Sequence, residues 1–234
     1  MTYTTLIFIM FLGFLGGMII PVTASRFGKV LPADPGGILA TLWHKPQIPK
    51  NRSNVHYCLW QYKWKKMLYF SFAWGIVMAG LFACSAVYLG PNHIVWIGAF
   101  LMTIGLLMAV DHQYFLLPDF FTIPLLFCGF GFSLATGFLT PWDSFIGATF
   151  GYVLCTVSVW IMHLRLKRAE FGAGDVKMVT ALGAWFGYMG LNVTLLLSFV
   201  FFAMWAGLTR RKTGAFGPAL GLAAIIVLFY LYAK

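Results

Sequence analysis

Long apolar runs recur along this chain, and the gaps between them alternate between rich in Lys and Arg and free of both. Runs lie near 6–20, 68–89, 94–111, 120–138, 144–163, 176–189, 193–209 and 215–233. A membrane-crossing helix needs about 20 apolar residues, and most of these runs approach that length. Lipid offers no partner to backbone N–H and C=O groups, so a spanning segment of this kind must be helical. The pattern predicts an all-α, polytopic membrane protein with about eight transmembrane helices. Composition agrees. Of the 234 residues, 61% are hydrophobic and 9% charged, whereas soluble domains carry about 25% charged residues. No room is left for a separate soluble domain, so 1–234 reads as one membrane-embedded domain.

The formal net charge of +10 could suggest nucleic acid, but its placement argues against that partner. Eight of the 16 basic residues fall between Arg26 and Lys66, four between Arg165 and Lys177, and three are Arg210, Arg211 and Lys212. The gaps "GPNH" (90–93), "TPWD" (140–143) and "MGLN" (189–192) hold none. Cytoplasmic loops of membrane proteins are enriched in Lys and Arg, and basic loops meet anionic lipid headgroups. The basic gaps are therefore placed in the cytoplasm and both termini outside. Spans come from hydropathy and sides from charge, so their agreement is a check. No basic residue precedes Leu6 and no clear small-residue cleavage site follows Ile20, so the first run reads as a retained span. Residues 23–67 form a cytoplasmic loop, with an interfacial helix expected near "YCLWQYKWKKMLYF".

Only six residues are acidic: Asp34, Asp111, Asp119, Asp143, Glu170 and Asp175. Asp111, Asp119, Glu170 and Asp175 gather at the end of the third run and the starts of the fourth and sixth, all toward one face. An ionisable group within a span costs at least roughly 2.5–3.5 kcal/mol and usually marks function. Asp119 follows Leu-Pro and reads as a helix N-cap, and Asp175 could cap in the same way. Asp111 instead ends a span, where its charge opposes the helix dipole, so capping does not account for it. Two carboxyls brought close tend to share one proton. The ionised member can then take a proton from water while the protonated member hydrogen-bonds a peptide carbonyl, which is aspartic-protease chemistry. Gly172 and Gly174 in "GAGD" would permit unusual backbone angles and close approach of an extended peptide.

The residues resemble a known family at three places. "GAGDVKMVTALGAWFG" (172–187) resembles the GxGD signature of the type IV prepilin peptidases. "DHQYFLLPDFFTIPLL" (111–126) is similar to that family's other signature, an Asp followed eight residues on by the Asp of Leu-Pro-Asp. "FGPALGLAA" (216–224) resembles its C-terminal span motif. Residues 100–230 make the best-matching catalytic core. The resemblance implies that Asp111 and Asp175 form the catalytic pair of a membrane aspartic endopeptidase. It implies supporting positions at Asp119, Glu170, Gly172, Gly174 and Lys177. The implied substrates are prepilins, or the pseudopilins of type II secretion, cut after a glycine at the cytoplasmic face of the bacterial inner membrane. Proteolysis would need no cofactor, and many family members also methylate the new N-terminus with S-adenosylmethionine.

Two departures stand out. The first loop holds Cys58 alone rather than paired C-x-x-C motifs, so no zinc site is expected. "GGMIIPVTASR" (16–26) replaces the family's early "GSFLNV"-like motif. Two other functions compete with the protease: a proton-coupled transporter using the same aspartates, expected to show repeats and acids near mid-bilayer, and a pilus-assembly scaffold that binds pilins without cutting them. The His residues show no ligand spacing. The "GFLGG" of the first run predicts close helix packing.

Overall fold

A computed structural model describes residues 2–27, 55–166, 172–210 and 214–232. Among them no strand occurs, and seven α-helices follow one another: α1 (Tyr3–Phe27), α2 (Val55–Tyr88), α3 (Ile94–Tyr114), α4 (Asp119–Thr136), α5 (Pro141–Leu166), α6 (Ala173–Thr209) and α7 (Gly217–Tyr232). The first six are long and apolar enough to cross a membrane, and α7 is a shorter apolar helix. The protein is an all-α, polytopic membrane protein. Large side chains such as Phe8, Phe11, Tyr69, Val95, Trp160 and Leu196 lie exposed, which suits a surface solvated by lipid tails. Ser144, Thr194, Ser198 and Asp111 are buried.

One expected boundary moves. The turn predicted at 189–192 is helical. The break lies earlier, at Gly187, with φ 66° and ψ −175°. That conformation is open essentially to glycine alone, and a glycine of this kind is an identifiable cause of a kink. The two predicted runs 176–189 and 193–209 are thus two helical segments, as expected, and they meet at Gly187 rather than at 189–192. The gap "GPNH" forms a turn with Gly90 at φ 85° and a single 3₁₀ turn, Pro91–His93. The basic-aromatic stretch after Val55 is helical and continuous with α2, not a separate interfacial element.

The described residues cluster as two compact units, 1–84 and 85–234. In the first, α1 and α2 pack through small residues. A Cβ on Gly13 would meet Phe82 and the Met78 carbonyl at 2.8–2.9 Å, and one on Gly17 would meet the Trp74 carbonyl at 2.6 Å. The "GFLGG" motif acts as expected, letting backbones approach where lipid removes any hydrophobic drive for helix association.

The second unit is built around α6. Trp185, fully buried, donates its indole N–H to the Leu125 carbonyl at 2.9 Å. It stacks on Phe132 with centroids 4.9 Å apart and lies 4.7 Å from Phe100. The Tyr232 hydroxyl donates to the Trp185 carbonyl, tying α7 to the same point. At the α5–α6 crossing Gly147 and Gly183 face each other so closely that a Cβ on either would strike the other's backbone. The Ser144 hydroxyl donates to the Ala184 carbonyl at 2.6 Å beside them. A Gly183→Leu protein is expected to lose at least about 1–3 kcal/mol, the usual cost of overpacking, read as a lowered unfolding temperature in detergent micelles.

Candidate active site

The acids sort into two kinds. Asp143 is structural. The Thr140 hydroxyl accepts the Asp143 backbone N–H at 3.1 Å and donates to Asp143 Oδ2 at 2.7 Å, a local network at the first turn of α5. Asp111, Asp119 and Asp175 lie in the second unit, at the end of α3 and the first turns of α4 and α6. Glu170 lies outside the described residues.

Asp111 sits in the last turn of α3 and is 5% exposed. The helix then ends on Phe115 in a left-handed conformation, φ 53°, whose N–H returns to the Asp111 carbonyl at 2.9 Å. The carboxyl does not go unpartnered. The Gly217 backbone N–H, at the start of α7, donates to Asp111 Oδ2 at 2.7 Å across 106 residues of sequence. The expectation that capping plays no part at Asp111 is therefore amended: it opposes the dipole of its own helix and meets the favourable N-terminal end of another. Gly217 leaves just enough room, since a Cβ there would lie 2.6 Å from Oδ2.

Asp175 occupies the first turn of α6 and is half-buried. Its Oδ2 accepts the Gly172 N–H at 3.3 Å, and its own N–H donates to the Gly172 carbonyl at 3.0 Å. The expectation that Gly172 supplies an unusual backbone angle is not met, for it has φ −73° and ψ 143°. The requirement falls on Gly174, and for another reason. A Cβ there would meet Leu117 Cβ at 2.7 Å and its carbonyl at 3.1 Å. The start of α6 thus lies directly on the α3–α4 turn. Contact between those two backbones sets the first turn of α6, which carries Asp175, against the turn that follows Asp111.

Asp119 is not an N-cap. Pro118 occupies that position with no side-chain capping bond, and the Asp119 carboxylate instead pairs with Lys177 Nζ at 2.5 Å. The two side chains are 55% and 42% exposed. Exposed pairs contribute roughly 0–1 kcal/mol, so the bridge orients α4 against the first turn of α6 rather than holding the fold. Asp119→Asn is expected to keep at least about a tenth of wild-type activity with little change in unfolding temperature, measured as initial rates and melting curves side by side.

Sequence reasoning passed over Gly217 and Leu117 as site-building residues. Both stand inside quoted stretches, "FGPALGLAA" and "DHQYFLLPDFFTIPLL", and the signal each offered was its place beside a proline or a motif acid. Among the described residues no three His, Cys, Asp or Glu side chains group closely enough to hold a metal.

Fold and site together define a multi-pass membrane protein with one carboxyl in the last turn of α3 and others in the first turns of α4 and α6. Comparison with known proteins gives a family likeness. The model of the type IV leader peptidase family matches residues 96–207, a segment that includes Asp111, Asp119, Asp175 and Lys177. The prepilin leader peptidase/N-methyltransferase of Aeromonas hydrophila is 38% identical over 128 residues, which cover 52% of this chain and 44% of the relative. The protein of the same name from Pectobacterium carotovorum subsp. carotovorum is 32% identical over 158 residues, 64% of this chain and 56% of the relative. That from Escherichia coli (strain K12) is 35% identical over 131 residues, 53% and 58%. The chain spans about half the length of these curated relatives. No solved structure matches it.

Proposed function

We propose that this chain is a membrane aspartic endopeptidase that removes the short basic leader of type IV prepilins or pseudopilins, cutting after a glycine at the cytoplasmic face of the bacterial inner membrane. The observation that carries the reading is the close contact of Gly174 with Leu117, which sets the start of α6, with Asp175, against the turn after Asp111. The relatives' shared name supports the substrate, and the basic gaps of the sequence support the cytoplasmic side.

In this mechanism Asp111 and Asp175 hold one proton between them. The ionised carboxyl removes a proton from a water molecule as its oxygen attacks the peptide carbonyl. The protonated carboxyl hydrogen-bonds that carbonyl oxygen, and its proton then reaches the leaving amine as the C–N bond breaks. Gly217 orients Asp111 throughout, and the Gly172 N–H orients Asp175. The Lys177–Asp119 pair steadies the neighbouring turns.

The test is purified protein with a prepilin peptide. Cleavage on the C-terminal side of the leader glycine supports the reading. A protein that binds the peptide and leaves it whole is a scaffold. One that leaves it whole but drives proton-coupled uptake in vesicles is a transporter.

A second activity, methyl transfer from S-adenosylmethionine to the new N-terminus, has its support in the relatives' name. The cavity beside His112 offers no carboxylate for the cofactor's ribose hydroxyls or amino group, so its lining does not fit that cofactor. A gain of one methyl on the cleaved product, dependent on added S-adenosylmethionine, is the measurement that decides it.

A further inference from the structure

Contacts between helices fix how deep the acids lie. α5 packs antiparallel on the first segment of α6 in one register. A Cβ on Gly147 would strike the Gly183 carbonyl, and one on Gly151 would meet the Val179 carbonyl at 3.1 Å. One turn further, the same register sets Asp175 level with Cys155. That is near the middle of α5 (Pro141–Leu166), not its end. From Cys155 to Leu166 the helix runs on for about 16 Å at a rise of roughly 1.5 Å per residue. The other acid gives a second measure. Beyond Gly187, α6 runs antiparallel to α7: a Cβ on Gly190 would meet Leu231, and Phe202 lies 5.7 Å from Phe216. Phe216 precedes the Gly217 whose N–H holds Asp111. From Phe202 α6 continues to Thr209, about 10 Å more.

Both extensions are apolar. Trp160, Ile161 and Leu164 on α5 and Met204 and Leu208 on α6 are exposed, and arginine appears only at the ends, as Arg165 and Arg210. Side chains of this kind belong in hydrocarbon, and one leaflet of it is about 15 Å thick. The acids therefore lie most of a leaflet inside the basic ends of α5 and α6. Yet polar groups stand open at that depth. Lys177, half a turn beyond Asp175, pairs with Asp119, and the two side chains are 42% and 55% exposed. Ionisable groups within a span face a partner or a water-filled cavity, and lipid tails do not solvate an exposed ion pair. The backbone agrees. It is non-helical at Phe115–Pro118, at Gly172 and at Gly214–Phe216. Such backbone occurs at membrane depth only where it is buried in protein or lines water. Phe115 and Gly172 are exposed, which leaves water.

We infer that a water-filled recess opens from the cytoplasmic side into the inner leaflet, with the inner ends of α5 and α6 standing in lipid beside it. Asp111, Asp175 and the Lys177–Asp119 pair form its floor. The recess delivers water to carboxyls that the length of the helices places below the membrane surface. It concerns the same carboxyls as the protease reading but does not depend on the reaction, since a transporter or scaffold with this geometry would hold the same recess.

The test uses the full chain with Cys58→Ser, Cys84→Ala, Cys128→Ala and Cys155→Ala, in inverted inner-membrane vesicles, and adds one cysteine at a time. Ala173→Cys and Asp119→Cys probe the floor. Ile161→Cys and Met204→Cys probe the flanking helices, nearer the cytoplasm. The probe is a charged, membrane-impermeant thiosulfonate. Only the thiolate reacts and apolar surroundings suppress it, so the floor positions are expected to react at least about tenfold faster than the flanking ones, although they lie deeper. Fast reaction at all four would put the inner halves of α5 and α6 in water and the acids at the surface. Slow reaction at all four would make the site dry. Either result overturns the inference, and so does a floor that reacts in right-side-out vesicles but not in inverted ones. If Ala173→Cys does not fold, Asp119→Cys decides, because its exposed ion pair contributes little to stability. Cleavage of a prepilin peptide by wild-type protein is measured alongside. A chain that labels as expected but cuts nothing keeps the recess and loses the protease reading.

Discussion

Asp111→Asn is expected to give a folded, substrate-binding protein whose cleavage rate falls by at least about 10²–10⁴-fold, the range a positioned acid or base contributes. The substitution isolates chemistry from structure. An asparagine oxygen still accepts the Gly217 N–H that holds the carboxyl at 2.7 Å, so the end of α3 and the start of α7 stay joined. What disappears is the capacity to carry or release a proton. Asp175→Asn should behave alike, because its amide oxygen can keep the Gly172 bond. The double variant should be hardly worse than either single one, since groups that act as a unit are strongly non-additive. Asp111→Leu makes the contrast. It also strands a buried N–H, and should lower stability by about 1–3 kcal/mol where Asn does not. The readouts are initial cleavage rates and melting curves on the same preparations. Either Asn variant cutting within about tenfold of wild type would remove the carboxyl pair from the mechanism.

Gly217→Val is expected to have the second largest effect without touching an ionisable group. A Cβ at this position would lie 2.6 Å from Asp111 Oδ2 and 2.9 Å from its Cβ, so the carboxyl must turn away or α7 must withdraw. A displacement near 1 Å in a reacting group costs on the order of 10²-fold in rate, and that is the predicted loss. Gly217→Ala should fall between the two proteins. A nearby glycine provides the control. Nothing lies within 4 Å of a Cβ built on Gly207, so Gly207→Ala should leave cleavage and stability as they are. Equal losses at 207 and 217 would mean that the effect reports general disturbance of the helices, not the carboxyl.

The parts of the molecule that were legible in the sequence are those written in local composition. Lipid forces backbone hydrogen bonds to close within each segment, so α3, α4, α5 and α7 could be drawn from hydropathy almost to the residue. The position of the break at Gly187 was not legible. A break without a polar gap leaves no trace in hydropathy, and "MGLN" offered a more obvious turn than the glycine two residues upstream. Asp119 shows the same limit. Cap preference is a local rule, and a partner 58 residues away in Lys177 overrode it. The candidate acids themselves stood out because so few exist in an apolar chain. Their mutual approach did not, because it depends on Gly174 meeting Leu117, a contact between remote backbones that no spacing encodes.

The bond from Gly217 to Asp111 also sets an order of events. Ribosomes extend chains from the N-terminus, so both acids exist before residue 217 is made. Until α7 inserts, the nascent polypeptide holds its two acids without the amide that aims one of them. By this geometry a polypeptide that stops short of residue 217 holds Asp111 without the amide that aims its carboxyl.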